Sequence, residues 1–270
     1  MIYRPLGHSG LQVSALTLGS MMFGEQTSTE DALRIIDKAW DQGINFIDTA
    51  DVYNAGRAEE IVGEAVARHR HDWIVASKVG FGPADGLPNR SGLSRKHIFN
   101  ALDATLTRMD MDYLDIYYLH REDHKVPLEE TVQAIGDLLR QGKIRYWGVS
   151  NFRGWRIAEA CHIAERLGVP RPVVSQPLYN IVNRQAEPEQ LTAAAAHGLG
   201  VVPFSRSRGA CSAANMRRGR CRMPVAVPGA RTSASWRWNG ARSRWPLPGR
   251  SRPMWKPRAW VSSSSRLPGY

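Results

Sequence analysis

Four polar residues each follow a short apolar run. Asp48 comes after Ile44-Asn45-Phe46-Ile47, with Tyr53 five residues on; Lys78 lies past Trp73-Ile74-Val75-Ala76; His120 follows Asp115-Ile116-Tyr117-Tyr118-Leu119. If those runs are parallel strands of one barrel, the four side chains gather at its C-terminal mouth, where such folds keep their chemistry. An acid, a phenol, an amine and an imidazole at one mouth suggest a proton relay for reducing a carbonyl. That reaction needs a hydride donor on one face of the carbonyl and a proton donor at its oxygen. A free tyrosine, with a pKa near ~10, is a poor acid at neutral pH. A neighbouring ammonium favours the phenolate and is expected to lower that value, and a carboxylate can hold the ammonium in place. Tyr53, Lys78 and Asp48 supply the three parts. His120 is expected to orient the substrate oxygen by hydrogen bonding or to share in the proton transfer.

The elements that must position these groups are legible in the hydrophobic pattern. Short β-like runs alternate with amphipathic stretches of helical length, the pattern of βα units around a parallel sheet. Strands are predicted over 15–18, 46–47, 74–76, 114–119, 146–149, 173–175 and 201–204. Between them come six predicted helices. The first is capped by Ser28 and ended by Gly43, the second spans 59–68, the third is capped by Ser94, and the fourth opens at Pro127. The last two span 155–167 and 188–197. Residues 3–13, turning at Gly7-His8-Ser9-Gly10, predict a hairpin over the barrel floor. The fold class is therefore α/β, a (β/α)8 TIM-type barrel that is incomplete at its C-terminus, with seven of eight strands recognisable.

A chain of 270 residues suits one barrel of roughly 250 residues. Its net charge of +11 would suggest a nucleic-acid or membrane partner, but 15 of the 36 Lys+Arg fall in 206–270, which has no Asp or Glu. The body, 1–205, carries about −4 and reads as an ordinary cytoplasmic enzyme. Three scattered cysteines, Cys161, Cys211 and Cys221, argue against a disulfide framework and against a zinc site, and no metal is expected. The N-terminus lacks the apolar core of a signal peptide, and no run reaches the ~18 apolar residues of a membrane span.

Four segments resemble the aldo-keto reductase family. They are Asn45-Phe46-Ile47-Asp48-Thr49-Ala50-Asp51-Val52-Tyr53, Ala76-Ser77-Lys78, Leu114-Asp115-Ile116-Tyr117-Tyr118-Leu119-His120, and Gly142 to Phe152, which reads Gly-Lys-Ile-Arg-Tyr-Trp-Gly-Val-Ser-Asn-Phe. The resemblance runs in order over 1–205 and places the family's catalytic tetrad on Asp48, Tyr53, Lys78 and His120. It implies NAD(P)H-dependent reduction of an aldehyde or ketone, with NADP the family's cofactor and NAD left open. It also implies that Ser150, Asn151 and Gln176 bind the nicotinamide carboxamide. Phe204, with Ser205 beside it, would stack on the nicotinamide ring. A non-catalytic barrel, like the channel-associated members of the family, is the second reading; the intact tetrad speaks against it.

After Ser205 the resemblance stops, and the basic residue that the family uses for the adenosine 2′-phosphate has no counterpart. Arg, Ser, Ala, Pro, Gly and Trp fill 50 of the 65 positions from 206 to 270, and no hydrophobic period survives there. One permitted codon string for residues 206–216, read from its third base, restores Leu-Ala-Arg-Gly-Val-Leu-Ser-Gly-Lys-Tyr, the kind of continuation this family uses. The tail is therefore expected to be a disordered product of a one-base frameshift, and the chain to be poorly soluble with little or no reductase activity. Read instead as genuine sequence, its Arg and Trp residues would suit a nucleic-acid arm. The frameshift explains the same composition, so no nucleic-acid partner is expected.

Overall fold

The computed structural model describes residues 1–82 and 87–205. The expectations for the tail, 206–270, lie outside the described residues.

A hairpin opens the chain: β1 (Tyr3–Pro5) pairs antiparallel with β2 (Gln12–Ser14). Seven parallel strands follow, separated by helices: β3 (Leu18–Gly19), α1 (Thr29–Asp41), β4 (Phe46–Asp48), α2 (Arg57–Val66), β5 (Ile74–Val79), α3 (Arg95–Met109) and β6 (Leu114–Leu119). Then come α4 (Leu128–Arg140), β7 (Ile144–Ser150), α5 (Gly154–Arg166), β8 (Val174–Gln176), α6 (Thr192–His197) and β9 (Gly200–Val201). The strands lie in sequence order, β3 to β9, each hydrogen-bonded in parallel to the next. Right-handed crossovers repeated in one direction place every helix on the same face and curl the sheet. Among the described residues β3 and β9 do not pair, so this is the incomplete (β/α)8 barrel expected.

Alternation sorts the strand side chains. Ile47, Val75, Tyr117, Leu119, Trp147 and Val149 face outward into a core shared with helix residues such as Ile36, Ile61, Ile98, Leu102, Ile135 and Ile157. Phe46, Ile74, Ala76, Ile116, Tyr118 and Val174 face inward and meet Leu6 and Val13 of the hairpin. The hairpin is pinned to the N-terminal strand ends, Ser14 N–H donating to Asn45 Oδ1 (2.8 Å) and His8 N–H to Gly198 O (2.9 Å). It covers the floor as predicted. Ser28 and Ser94 cap α1 and α3, their hydroxyls accepting from Asp31 N–H (3.1 Å) and His97 N–H (3.3 Å).

Several boundaries differ from the expectation, each for a local reason. The predicted strand 201–204 is only Gly200–Val201, because Pro203 has no N–H to extend the ladder; Phe204 makes one further bridge to Leu178. The first barrel strand starts at Leu18, since Ala15 N–H is spent on Ile2 O (2.8 Å) as part of the hairpin. Pro127 precedes α4 as its cap residue instead of opening it. The helix predicted over 188–197 is a π-turn, Glu187–Leu191, running into α6. At Gly63 a methyl group would sit 2.3 Å from Met109 O, so the absence of a side chain is what lets α2 lie against the end of α3. Among the described residues no helix is long and apolar enough to cross a membrane.

Candidate active site

Asp48 ends β4, Lys78 lies near the end of β5, and His120 follows β6. Each stands two residues beyond an inward-facing side chain, namely Phe46, Ala76 and Tyr118, so the twofold repeat of a strand turns all three into the barrel. The cross-strand register then sets their heights: Asp48 lies opposite Ala76, and Lys78 opposite Tyr118. Lys78 is 0 % exposed. Its ammonium donates to Asp48 Oδ2 (2.6 Å), Thr49 O (2.7 Å) and the Tyr53 hydroxyl oxygen (3.2 Å). Those are all the hydrogens it has. The other carboxylate oxygen of Asp48 accepts from Gln176 Nε2 (3.0 Å).

Tyr53 reaches the group through a tight turn, Tyr53–Gly56. Asn54 and Ala55 both take left-handed backbone conformations (φ 49° and 54°), and Gly56 follows at φ 93°. For Ala55 this costs about 1–2 kcal/mol. Asn54 anchors the turn by donating to Phe23 O (2.6 Å) and Met21 O (3.2 Å) beyond β3. The Tyr53 ring meets His120 edge-on, with centroids 5.9 Å apart. The four residues expected to act together are thus brought together.

The electrostatics correct one expectation. Burial pushes the Tyr53 phenol above its ordinary value, and the opposing pull of the Lys78 charge does not overcome it. The approach of an ammonium does not make this phenol acidic, because the same walls that enclose Lys78 also desolvate Tyr53. Burial favours a neutral Lys78, yet attraction to Asp48 and Tyr53 outweighs it and raises the ammonium's pKa. His120 is driven down to about 3 by burial, then by Lys78 and Arg121, so it is a neutral imidazole at pH 7. Its Nδ1 is buried without a hydrogen-bond partner.

The residues expected to hold the cofactor form a chain linked to this group. Ser150 Oγ donates to Gln176 O (2.9 Å) and accepts from Asn151 Nδ2 (3.0 Å), which also reaches His120 O (2.9 Å). Gln176 joins them to Asp48 from 128 residues away. Asn151, in the left-handed region at φ 57°, is exposed at the mouth. Phe204 and Ser205 are tied to the loop after β8 through Phe204 N–H to Pro177 O (3.1 Å) and Asn180 Nδ2 to Ser205 O (3.2 Å). Among the described residues no hydrogen bond or ring contact joins those two to Asp48, Tyr53, Lys78 or His120.

Three features escaped the sequence reading. Asp51 is pushed up to about 7 by burial and then by Glu59, against Arg108 and Lys78, and its Oδ1 lacks a partner. Glu59, fully buried, accepts from Ser77 Oγ (2.5 Å), Thr105 Oγ1 (3.0 Å) and Arg108 Nε (2.7 Å), pinning β5 from the side opposite Lys78. Phe81 packs edge-on against His120, at 4.7 Å. Asp51 and Glu59 bracket Tyr53, so two acids beside a polar cluster were an available signal; the contact of Phe81 was not.

Comparison with known proteins bears on the same residues. A family model described as the aldo/keto reductase family matches residues 15–223, past Ser205. The chain is 42% identical over 210 residues to a protein of Arabidopsis thaliana named probable voltage-gated potassium channel subunit beta, covering 76% of this chain and 63% of that one. It is 39% identical over 209 residues to a putative voltage-gated potassium channel subunit beta of Schizosaccharomyces pombe, covering 75% and 61%. It is 40% identical over 215 residues to an uncharacterized oxidoreductase, YrpG, of Bacillus subtilis, covering 76% and 66%. The chain thus spans just under two thirds of the length of these relatives.

Proposed function

The chain belongs to the aldo/keto reductase family, and from that premise we propose that it is an NADP(H)-dependent oxidoreductase that reduces small aldehydes or ketones to alcohols, with Tyr53 as the proton donor. The observation that carries this reading is the buried Lys78 ammonium, shared among Asp48, Thr49 O and Tyr53.

A nicotinamide fits the residues present. The amides of Asn151 and Gln176 and the hydroxyl of Ser150 form one hydrogen-bonded chain beside the tetrad, and His120 Nδ1 is a buried polar atom left unpaired. When bound, the reduced cofactor supplies the hydride. Ser150, Asn151 and Gln176 would hold its carboxamide, and Phe204 with Ser205 would lie along the ring.

The remaining chemistry belongs to the chain. Because Lys78 donates to the Tyr53 oxygen, the phenolic hydrogen is turned away from the ammonium and is free for a substrate oxygen. A phenol held above its ordinary pKa still protonates a forming alkoxide, which is a far stronger base than phenolate. As the carbonyl oxygen takes that proton, the phenolate left behind lies 3.2 Å from a cation that cannot leave its partners. The neutral His120 positions the carbonyl oxygen without adding charge.

The test follows NADPH oxidation by the purified chain with small aldehydes. Turnover abolished by Tyr53→Phe supports the reading; turnover that survives it, or none despite demonstrated NADPH binding, overturns it. A second reading is an accessory, non-catalytic subunit, favoured by the names of the Arabidopsis and Schizosaccharomyces relatives; NADPH binding without any Tyr53-dependent turnover would favour it. For the tail we propose a one-base deletion at the codons for Ser205 and Arg206, which removes the residues that the family uses for the adenosine 2′-phosphate. Sequencing those codons tests it, and an unbroken frame shared by close relatives would exclude it.

A further inference from the structure

The mouth carries a cation that the proton relay does not use. Arg121 follows His120 directly and is exposed. Its Nε donates to Gly80 O at the end of β5 (3.3 Å), and its guanidinium lies 4.3 Å over the ring of Phe81. Phe81 in turn packs edge-on against the His120 imidazole, with centroids 4.7 Å apart. These two ring contacts hold the guanidinium within one small substrate's length of the imidazole while engaging one of its five N–H donors. Among the described residues no carboxylate pairs with it.

The acids on the same loop are committed elsewhere. Glu122 accepts from Arg153 N–H (2.5 Å) and pairs with His124 (3.0 Å); Asp123 accepts from the N–H groups of Leu93 and Lys125, both at 2.9 Å. Deeper in the barrel the charges of Asp48 and Lys78 cancel. A stacked guanidinium with an open fork matches a carboxylate edge-on, which a mobile lysine would not do as well.

We propose that Arg121 is a specificity-determining residue that receives a carboxylate, or a comparable anion, on the substrate. The preferred substrates are then carbonyl compounds carrying a negative group a few bonds from the carbonyl. This rests on the reductase reading of the tetrad.

The experiment compares kcat/KM for 4-formylbenzoate and for its neutral methyl ester, using the full chain and NADPH. The acid is expected to be favoured, and Arg121→Gln to lower the acid-to-ester ratio about fivefold, the worth of a well-placed exposed ion pair. Arg121→Lys should retain part of the preference, and added salt should narrow the ratio in the wild type but not in Arg121→Gln. A wild-type ratio near one, or a ratio unchanged in Arg121→Gln, overturns the proposal. If neither aldehyde turns over, the reductase reading falls and the anion site is judged by calorimetric binding of 4-formylbenzoate. Binding weakened by Arg121→Gln upholds the site; equal or absent binding overturns it.

Discussion

Replacing Lys78 by methionine removes a charge while keeping nearly the same length and volume. Lys78 is 0 % exposed, and its ammonium is bonded to Asp48 Oδ2 at 2.6 Å. In Lys78→Met the Asp48 carboxylate keeps only Gln176 Nε2 as a side-chain partner, and Thr49 O loses its donor. Breaking a buried ion pair from one side costs about 3–5 kcal/mol, because the surviving charge stays desolvated. Asp48→Asn alone should cost a similar amount, since it strands the ammonium. The double variant, Asp48→Asn with Lys78→Met, leaves neither member of the pair charged and should cost less than either single change. The two sites should therefore couple by at least about 3 kcal/mol in a double-mutant cycle. Urea unfolding at pH 7 reads the stabilities, and NADPH oxidation reads the chemistry. Stability is expected to recover in the double variant while activity does not, because Tyr53 has lost the cation that stabilises its phenolate. Losses that simply add in the double variant, or activity returning with stability, would refute the reasoning. The Lys78 pKa is raised, so the pair's stabilisation is complete below the unfolded value near ~10.4 and fades only as pH climbs through the higher folded value.

Other outcomes follow from neighbouring residues. Asp51, at about 7, binds its proton more tightly folded than unfolded, so its ionisation costs stability as pH rises. The gain from Asp51→Asn should grow by roughly 3 kcal/mol between pH 4 and pH 8, read from urea midpoints; an equal gain at both would disprove it. His120, lowered to about 3, releases its proton on folding, so it weakens the fold as pH falls from 6.5 toward that value. Its imidazole proton resonances should not shift between pH 5 and 8, and His120→Gln should flatten this acid-side loss. Arg108→Ala leaves the buried Glu59 without its guanidinium and should lower stability by about 3–5 kcal/mol; Glu59→Gln combined with it should recover part of that loss. Gly63→Ala forces its methyl against Met109 O and should cost about 1–3 kcal/mol in thermal or urea unfolding.

Much of the site was legible in the sequence because strand alternation is a local property. Phe46 and Asp48, Ala76 and Lys78, Tyr118 and His120 share a face through their spacing of two, whatever the rest of the chain does. Serine caps and the glycine that ends α1 were legible for the same reason, since each acts within one turn of backbone. Other features depend on residues far apart in the chain. The register that sets Asp48 against Ala76 and Lys78 against Tyr118, the 128-residue reach of Gln176 to Asp48, and the stacking of Arg121, Phe81 and His120 exist only after the strands have assembled. The direction of the Tyr53 shift belongs to this second group. The sequence supplies an ammonium, whose nearness predicts a more acidic phenol. The folded barrel supplies the burial that outweighs it, because desolvation sums over every wall of the site and no wall is adjacent to Tyr53 in sequence.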